Sequence, residues 1–301
     1  MLIIKYRKIF FILSTLLIVG SLVSLFLWKL NFGIDFSGGA LLEANFAGGS
    51  LPSNDQIKNA LSGAGVKDAV VQPTSENGVI LRFETVDDKT HQKIVVALSA
   101  LAQKDQKFEE KSFESIGPAI GQELKKRAIY AILATLVGIL FFISFAFRKV
   151  SKPVSSFEYA MAAILALFHD MIITLGIFSF LGKFAGFTVD LPFVAAILTV
   201  LGYSVNDTIV VFDRVRENLI KHVGKDFEET VSISINQTFV RSLATSATVF
   251  IALLTIYFFG GESTKSFSLA LIVGIFFGTY SSIFIASTLL VSWYKNKLKK
   301  S

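Results

Sequence analysis

The sequence predicts an α-helical membrane protein, with six transmembrane helices and one exported α+β domain of ferredoxin-like order between the first and second. Three observations carry this. Apolar side chains make up 52% of the 301 residues and charged ones only 17%, whereas average soluble chains carry roughly 25% charged residues. Six stretches, 9–28, 128–147, 157–181, 189–212, 239–259 and 267–293, read as apolar runs long enough to span, since about 20 residues cross a hydrocarbon layer roughly 30 Å thick. Between residues 31 and 117 the pattern changes to short alternations bounded by Gly, Pro, Ser and Asn, which marks a folded aqueous domain.

The first stretch follows Lys5, Arg7 and Lys8, as a signal peptide would. Its apolar run is longer than the usual ~7–15 residues and no small-x-small site follows Trp28, so an uncleaved anchor is expected. Flanking charge sets the orientation. Lys5, Arg7, Lys8, Arg148, Lys149, Lys152, Arg214, Arg216, Lys221, Lys225, Lys295, Lys297, Lys299 and Lys300 fall on one side, and only Lys183 and Lys265 lie in the two short loops of the other. Basic residues stay inside, so both termini are expected in the cytoplasm (residues 1–8 and the basic tail 294–301) and the segment 29–127 outside. That segment holds 12 basic and 13 acidic residues, so the net charge of +6 comes from the rest of the chain. Topology accounts for the basic excess, and no nucleic-acid partner is implied.

Within the exported segment, Leu42, Ala44 and Phe46 alternate with polar residues, and so do Val79, Leu81 and Phe83, the period of half-buried strands. Further strands are expected at 66–71 and 107–113, and helices at 53–61 and 88–103 after residues that favour helix starts. The resulting order, strand, helix, strand, strand, helix, strand, is that of a ferredoxin-like split unit. His91 reads as an exposed helix residue with no second His nearby. Gly117-Pro118 opens a helix expected to run unbroken into the second span, with Glu123 and Arg127 on one face.

The chain has no Cys and three His, which leaves no disulfide, no thiolate nucleophile and no conventional zinc centre to expect. Its informative residues are charges inside the spans. His169 and Asp170 sit near the centre of the third span. Asp207 lies about 9 Å, and Arg241 about 12 Å, toward the cytoplasmic side of the fourth and fifth spans at helical rise. A lone Asp or Arg at a helix centre costs roughly 2.5–3.5 kcal/mol even on the lenient insertion scale, so these groups should face the bundle and find partners. Thr199, Tyr203 and Asn206/Asp207 recur at helical spacing on the fourth span, Arg241, Thr245 and Thr248 on the fifth, and Asp170 and Thr174 on the third. A structural account has Asp207 and Arg241 lock two helices together while His169 and Asp170 satisfy each other. A functional account has Asp207 take up and release a proton as Arg241 departs and approaches. Gly274, Gly278 and Ser282 form a four-residue ladder that reads as a packing seam rather than part of the pathway.

Five ordered motifs then suggest a family. Residues 33–39 read GIDFSGG, 116–121 IGPAIG, 169–170 HD, 202–218 GYSVNDTIVVFDRVREN, and Asn236-Gln237-Thr238 precedes Arg241. Together they resemble the SecF branch of the SecD/SecF family of bacterial protein-export membrane proteins, within the RND superfamily. The resemblance implies an RND-type half-bundle that pairs with SecD, next to the SecYEG channel and the SecA motor, with YajC a further candidate partner. It implies residence in the bacterial inner membrane and proton-driven pulling and release of unfolded polypeptide on the outer side. By position, Asp207 and Arg241 match the family's proton-pathway residues and His169 and Asp170 match a motif beside them, with Asn206, Tyr203 and Thr245 as supporting polar groups. No catalytic residue, cofactor or metal is implied. The rival readings are a scaffold without proton coupling, a proton-coupled exporter of small molecules, and an intramembrane aspartyl protease. The last is disfavoured because Asp170 and Asp207 are expected to differ by roughly 8 Å in depth and no Gly-x-Gly-Asp surrounds either.

Overall fold

The computed structural model describes residues 2–74, 77–103, 106–148 and 153–300. They form two compact units, Phe32–Ile129 and the remainder of the chain. In chain order, α1 (Leu2–Lys5) and α2 (Arg7–Trp28) precede α3 (Ile34–Ser37), β1 (Gly39–Ala47), α4 (Asn54–Gly63), β2 (Val70–Pro73), β3 (Gly78–Phe83), α5 (Asp88–Ser99) and β4 (Lys107–Ile116). Five long helices follow: α6 (Pro118–Ala146), α7 (Ser156–Ala185), α8 (Leu191–Ile220), α9 (Phe227–Phe259) and α10 (Glu262–Ser281). The last passes through a π-helical turn, Ser282–Ala286, into α11 (Ser287–Lys300). Among the described residues six helices are long and apolar enough to cross a membrane, the sixth running through Ser263–Lys299.

The smaller unit is a four-stranded antiparallel sheet of order β2-β3-β1-β4, the ferredoxin-like arrangement. Alternation along β1 sends Ala40, Leu42, Ala44 and Phe46 into a core shared with Ile57 and Leu61 of α4 and Ile94 and Leu98 of α5. Both helices start on capping side chains. Ser53 and Gln56 form a capping box at α4, and Asp87 accepts the Thr90 amide at 3.0 Å at α5. Hydrogen bonds from Thr90 hold the Asp87 carboxyl below its ordinary range. Two glycines of the GIDFSGG run have no substitute: Gly38 has φ +73° and Gly39 φ +130°, and a Cβ on Gly39 would lie 2.8 Å from the Phe83 carbonyl oxygen.

Several expectations need correction in this unit. The strand expected at 66–71 starts only at Val70, because Asp68 takes φ 57° and breaks the extended run. The helix expected over 88–103 ends at Ser99, and the strand expected over 107–113 continues to Ile116, where pairing with β1 extends to Gly39. His91 is not a solitary exposed residue. Its Nε2 lies 3.0 Å from Glu110 and its ring stacks on Phe113 of β4 at 3.8 Å.

In the membrane unit the helices outrun the apolar stretches. Residues 213–236, between the fourth and fifth apolar stretches, are mostly helix, continuing α8 to Ile220 and starting α9 at Phe227. Hydropathy falls at the lipid boundary, but a helix needs only its backbone bonds and local side-chain support. Arg214–Glu217 and Lys221–Glu217 pairs at 2.8 and 2.6 Å supply that support, and Asp226 caps α9 by accepting the Glu229 amide at 2.7 Å. The second span likewise belongs to a helix that begins at Pro118, and Glu123 and Arg127 pair on it at 2.9 Å. Lys149 and Lys152, counted on the inner side, lie outside the described residues.

Candidate functional site

Close helix approach builds the site. A Cβ placed on Gly274 would lie 2.3 Å from Val200 Cγ2, and one on Gly278 would lie 3.0 Å from Ser204 Cβ, so α10 and α8 meet nearly backbone to backbone. On α7, a Cβ on Gly176 would lie 2.3 Å from Ser21 Cβ of α2, and Ser24 Oγ donates to the Gly176 carbonyl at 2.9 Å. Small residues thus draw the spans together, as membrane bundles require. The expected seam role of Gly274 and Gly278 agrees with this geometry.

Two buried carboxyl groups sit among the helices so joined. Asp170 on α7 is 0% exposed. Its Oδ2 accepts hydrogen bonds from Ser204 of α8 at 2.7 Å and Ser281 of α10 at 2.8 Å, and its Oδ1 lies 2.9 Å from His169 Nδ1. Asp207 on α8 is 7% exposed. Its Oδ1 accepts from Ser242 of α9 at 2.5 Å, and its Oδ2 accepts from Ser282 at the start of the π-helical turn. A polar chain continues alongside, from Tyr203 Oη to Ser246 Oγ at 3.2 Å and on to Thr279 Oγ1 at 2.6 Å. His169 is buried, its ring lies over that of Tyr280 at 6.0 Å, and its Nε2 has no hydrogen-bond partner among the described residues.

The expected Asp207–Arg241 pair is not formed. Among the described residues Arg241 has no ion pair within 4.0 Å, and it lines an open recess of about 350 Å³ with Asp213, Glu217 and Gln237. Ser242, the next residue, faces the carboxyl group instead. One residue turns a helix by about 100°, so the buried polar face of α9 is Thr238, Ser242 and Ser246, while Arg241, Thr245 and Thr248 are exposed. On α8 the expected stripe is likewise split. Asp207 and Ser204 point inward, Tyr203 is half-buried, and Thr199 and Asn206 are exposed.

Of the expected residues, the bundle therefore brings together Asp170, His169, Asp207 and, at its edge, Tyr203. Arg241, Asn206 and Thr245 fall outside this cluster. Ser282, expected only as part of the seam, is a direct partner of Asp207. Ser204, Ser242 and Ser281 were not expected at all. The spacing of four from Thr238 to Ser242 to Ser246 is as regular as that of Arg241, Thr245 and Thr248 on the same span, and a single hydroxyl barely changes hydropathy. The two carboxyl groups share no hydrogen bond, so they do not form the proton-sharing dyad of an aspartyl protease.

The chain resembles proteins of one family along nearly its whole length. The sequence model for "Protein export membrane protein SecD/SecF, C-terminal" matches residues 96–296. A protein translocase subunit SecF from Thermobaculum terrenum is 44% identical over 97% of this chain and 93% of its own. One from Haemophilus influenzae is 42% identical over 94% of this chain and 82% of its own. Among solved structures, SecDF of Thermus thermophilus, a translocon-associated membrane protein, matches 97% of this chain at 32% identity with a TM-score of 0.83. A super-membrane-facing form of SecDF matches 99% of it at 33% identity with a TM-score of 0.67. This chain spans 38% and 39% of those two SecDF chains. The chain therefore belongs to the SecD/SecF family of protein-export membrane proteins.

Proposed function

We propose that this chain is a proton-coupled subunit of the Sec protein-export machinery that acts with SecD to promote translocation and release of polypeptide on the outer side of the membrane. One observation carries the proton coupling: Asp207 is buried at span depth, held by two serine hydroxyls and by no cation within 4.0 Å among the described residues. A permanently charged helix lock would require the opposite arrangement, a carboxylate in direct contact with Arg241. A carboxyl group held by hydroxyls accommodates either protonation state, because a hydroxyl can donate to the carboxylate or accept from the acid. Arg241, one residue from Ser242 and beside the open recess, stands where a conformational change could bring it to Asp207.

The outer faces of α8 and α9 support a second helical bundle as partner. Asn206 and Arg241 are exposed on helices long and apolar enough to cross a membrane, while the exposed hydroxyls of Thr199, Thr245 and Thr248 donate to carbonyls of their own helices. Lipid cannot satisfy a guanidinium or an amide, so these groups call for protein or a water-filled cavity against them. SecD supplies that cover in this reading, with SecYEG, SecA and YajC around the pair. The inner-membrane location and cytoplasmic termini rest on the basic residues flanking the spans.

The test is Asp207→Asn in membranes containing SecD, SecYEG and SecA. Proton-dependent stimulation of export is expected to vanish while SecD still co-purifies. Undiminished stimulation rejects the coupling. If dissipating the proton gradient changes nothing that the unaltered chain contributes, a scaffold role replaces it.

A further inference from the structure

Ser281 and Ser282 are neighbours in the chain, yet they serve different carboxyl groups. Ser281 Oγ donates to Asp170 at 2.8 Å, and Ser282 Oγ donates to Asp207. The two stand where α10 gives way to the π-helical turn Ser282–Ala286, whose far end is tied by Ser287 Oγ donating to the Ser282 carbonyl at 3.0 Å. Such turns are rare and concentrate at functional positions, because one extra residue is held in the helix without a regular partner.

Each serine also has a second acceptor in its own helix. Ser281 Oγ lies 3.2 Å from the Gly278 carbonyl oxygen and Ser282 Oγ 3.0 Å from that of Thr279. A hydroxyl carries one proton. While the carboxyl group is ionised it is the stronger acceptor and takes that proton. When the carboxyl group is protonated on the oxygen facing Ser281 or Ser282 and its O–H is directed at that serine, the serine oxygen accepts and the serine proton turns to the backbone carbonyl. The Gly278 carbonyl already accepts the Ser282 amide, so proton uptake at Asp170 loads the same carbonyl that holds the backbone of the residue serving Asp207. Back-bonding of this kind bends helices.

Resting on the proton-coupled reading above, we propose that Ser281, Ser282 and the π-helical turn are positioning residues that link the two carboxyl groups, so that a proton on one changes the other's hold on its own. The other titratable and charged groups around them are His169 beside Asp170 on α7, Tyr280 of α10 over its ring, Tyr203 on α8, and Arg241 on the outer side of α9. Those packed from α2 are hydroxyl and backbone groups, Ser14 and the Phe10 carbonyl, both on Tyr280.

The experiment is an infrared pH titration of the full complex with SecD, following the carboxyl stretching bands that Asp170→Asn and Asp207→Asn each remove. Asp207→Asn is expected to move the midpoint of the Asp170 band by about 1 pH unit, the scale at which titrating sites count as coupled. In Ser281→Ala or Ser282→Ala, each made separately, that displacement should disappear, and Ser282→Thr, which keeps the hydroxyl, should retain it. In the unaltered complex, amide exchange over the π-helical turn should step at the same midpoints, a readout that needs no serine variant to assemble. A displacement that survives both alanine changes, or exchange without a step, overturns the linkage and leaves proton coupling standing. Bands that do not titrate at all between about pH 4 and 9 reject the proton-coupled reading itself, since a carrier must change state within the pH range it works in.

Discussion

Replacing Gly274 with alanine should weaken the bundle at the seam that assembles both carboxyl sites. The new Cβ would lie 2.3 Å from Val200 Cγ2, 2.7 Å from its Cγ1 and 3.0 Å from its Cβ. Carbon atoms pack comfortably at about 3.5–4.0 Å, so α10 and α8 would have to separate by about 1 Å. Val200 cannot simply rotate away, because a β-branched side chain in a helix holds one χ1 rotamer. Overpacking of this degree costs about 1–3 kcal/mol, and the better helix propensity of alanine returns about 0.5–1. At the middle of both ranges, about 2 and about 0.75, the net loss is a little over 1 kcal/mol, a factor of roughly 5–10 in the folding equilibrium. The measurement is denaturant unfolding of the full chain in detergent for Gly274→Ala, Val200→Ala and the double variant. Because Val200→Ala removes the two methyl groups in the way, the double variant should be more stable than the two single losses predict, by about 1 kcal/mol or more of coupling. A Gly274→Ala protein as stable as its parent, or additive losses in the cycle, would falsify the close approach of these helices.

Four further outcomes follow from the structure. Gly39→Ala, forced into φ +130° with its Cβ 2.8 Å from the Phe83 carbonyl oxygen, should destabilise the smaller unit by about 1–3 kcal/mol, seen as faster amide exchange across β1 and β3. Ser53→Ala breaks the capping box with Gln56 and should cost about 0.5–2 kcal/mol, read as lost protection in α4 but not in α5. Asp87 has a carboxyl held below its ordinary value of 3.8 by Thr90, so its contribution is present above that value and is lost as pH falls through the lowered one. The start of α5 should therefore loosen in strong acid, while Asp87→Asn, still a cap, should show no such acid step once exchange is corrected for intrinsic rates. Finally, the chain has no Cys, so a single cysteine at Lys58 should react with an impermeant reagent from outside intact cells, and one at Lys225 only after the membrane is opened. The reverse pattern would invert the topology.

Much of the architecture could be read without coordinates, for identifiable reasons. A span is legible because hydrocarbon excludes polar side chains over some 20 residues, a constraint each residue expresses independently of its neighbours. The smaller unit is legible because a sheet and a helix impose different periods, and Leu42, Ala44 and Phe46 keep one while Ile94 and Leu98 keep the other. Helix ends were less legible. The tails of α8 and α9 leave the lipid and are held by ion pairs and a cap, none of which hydropathy records. The surroundings of His91 are hidden for a related reason, because its partners Glu110 and Phe113 come from a strand about 20 residues away.

At the candidate site, composition alone pointed to Asp170 and Asp207, because a carboxyl group is so costly in hydrocarbon that its place in a span already implies burial and a partner. Which partner it meets was decided by packing. Arg241 and Ser242 are adjacent, and a step of about 100° around α9 separates a guanidinium facing outward from a hydroxyl facing Asp207. That rotation is fixed by the packing of α9 against α8 and α10, where Ser242 meets Asp207 and Ser246 meets Tyr203 and Thr279. Steric fit between helices far apart in the chain is a property of pairs of surfaces, and no single stretch of residues carries it.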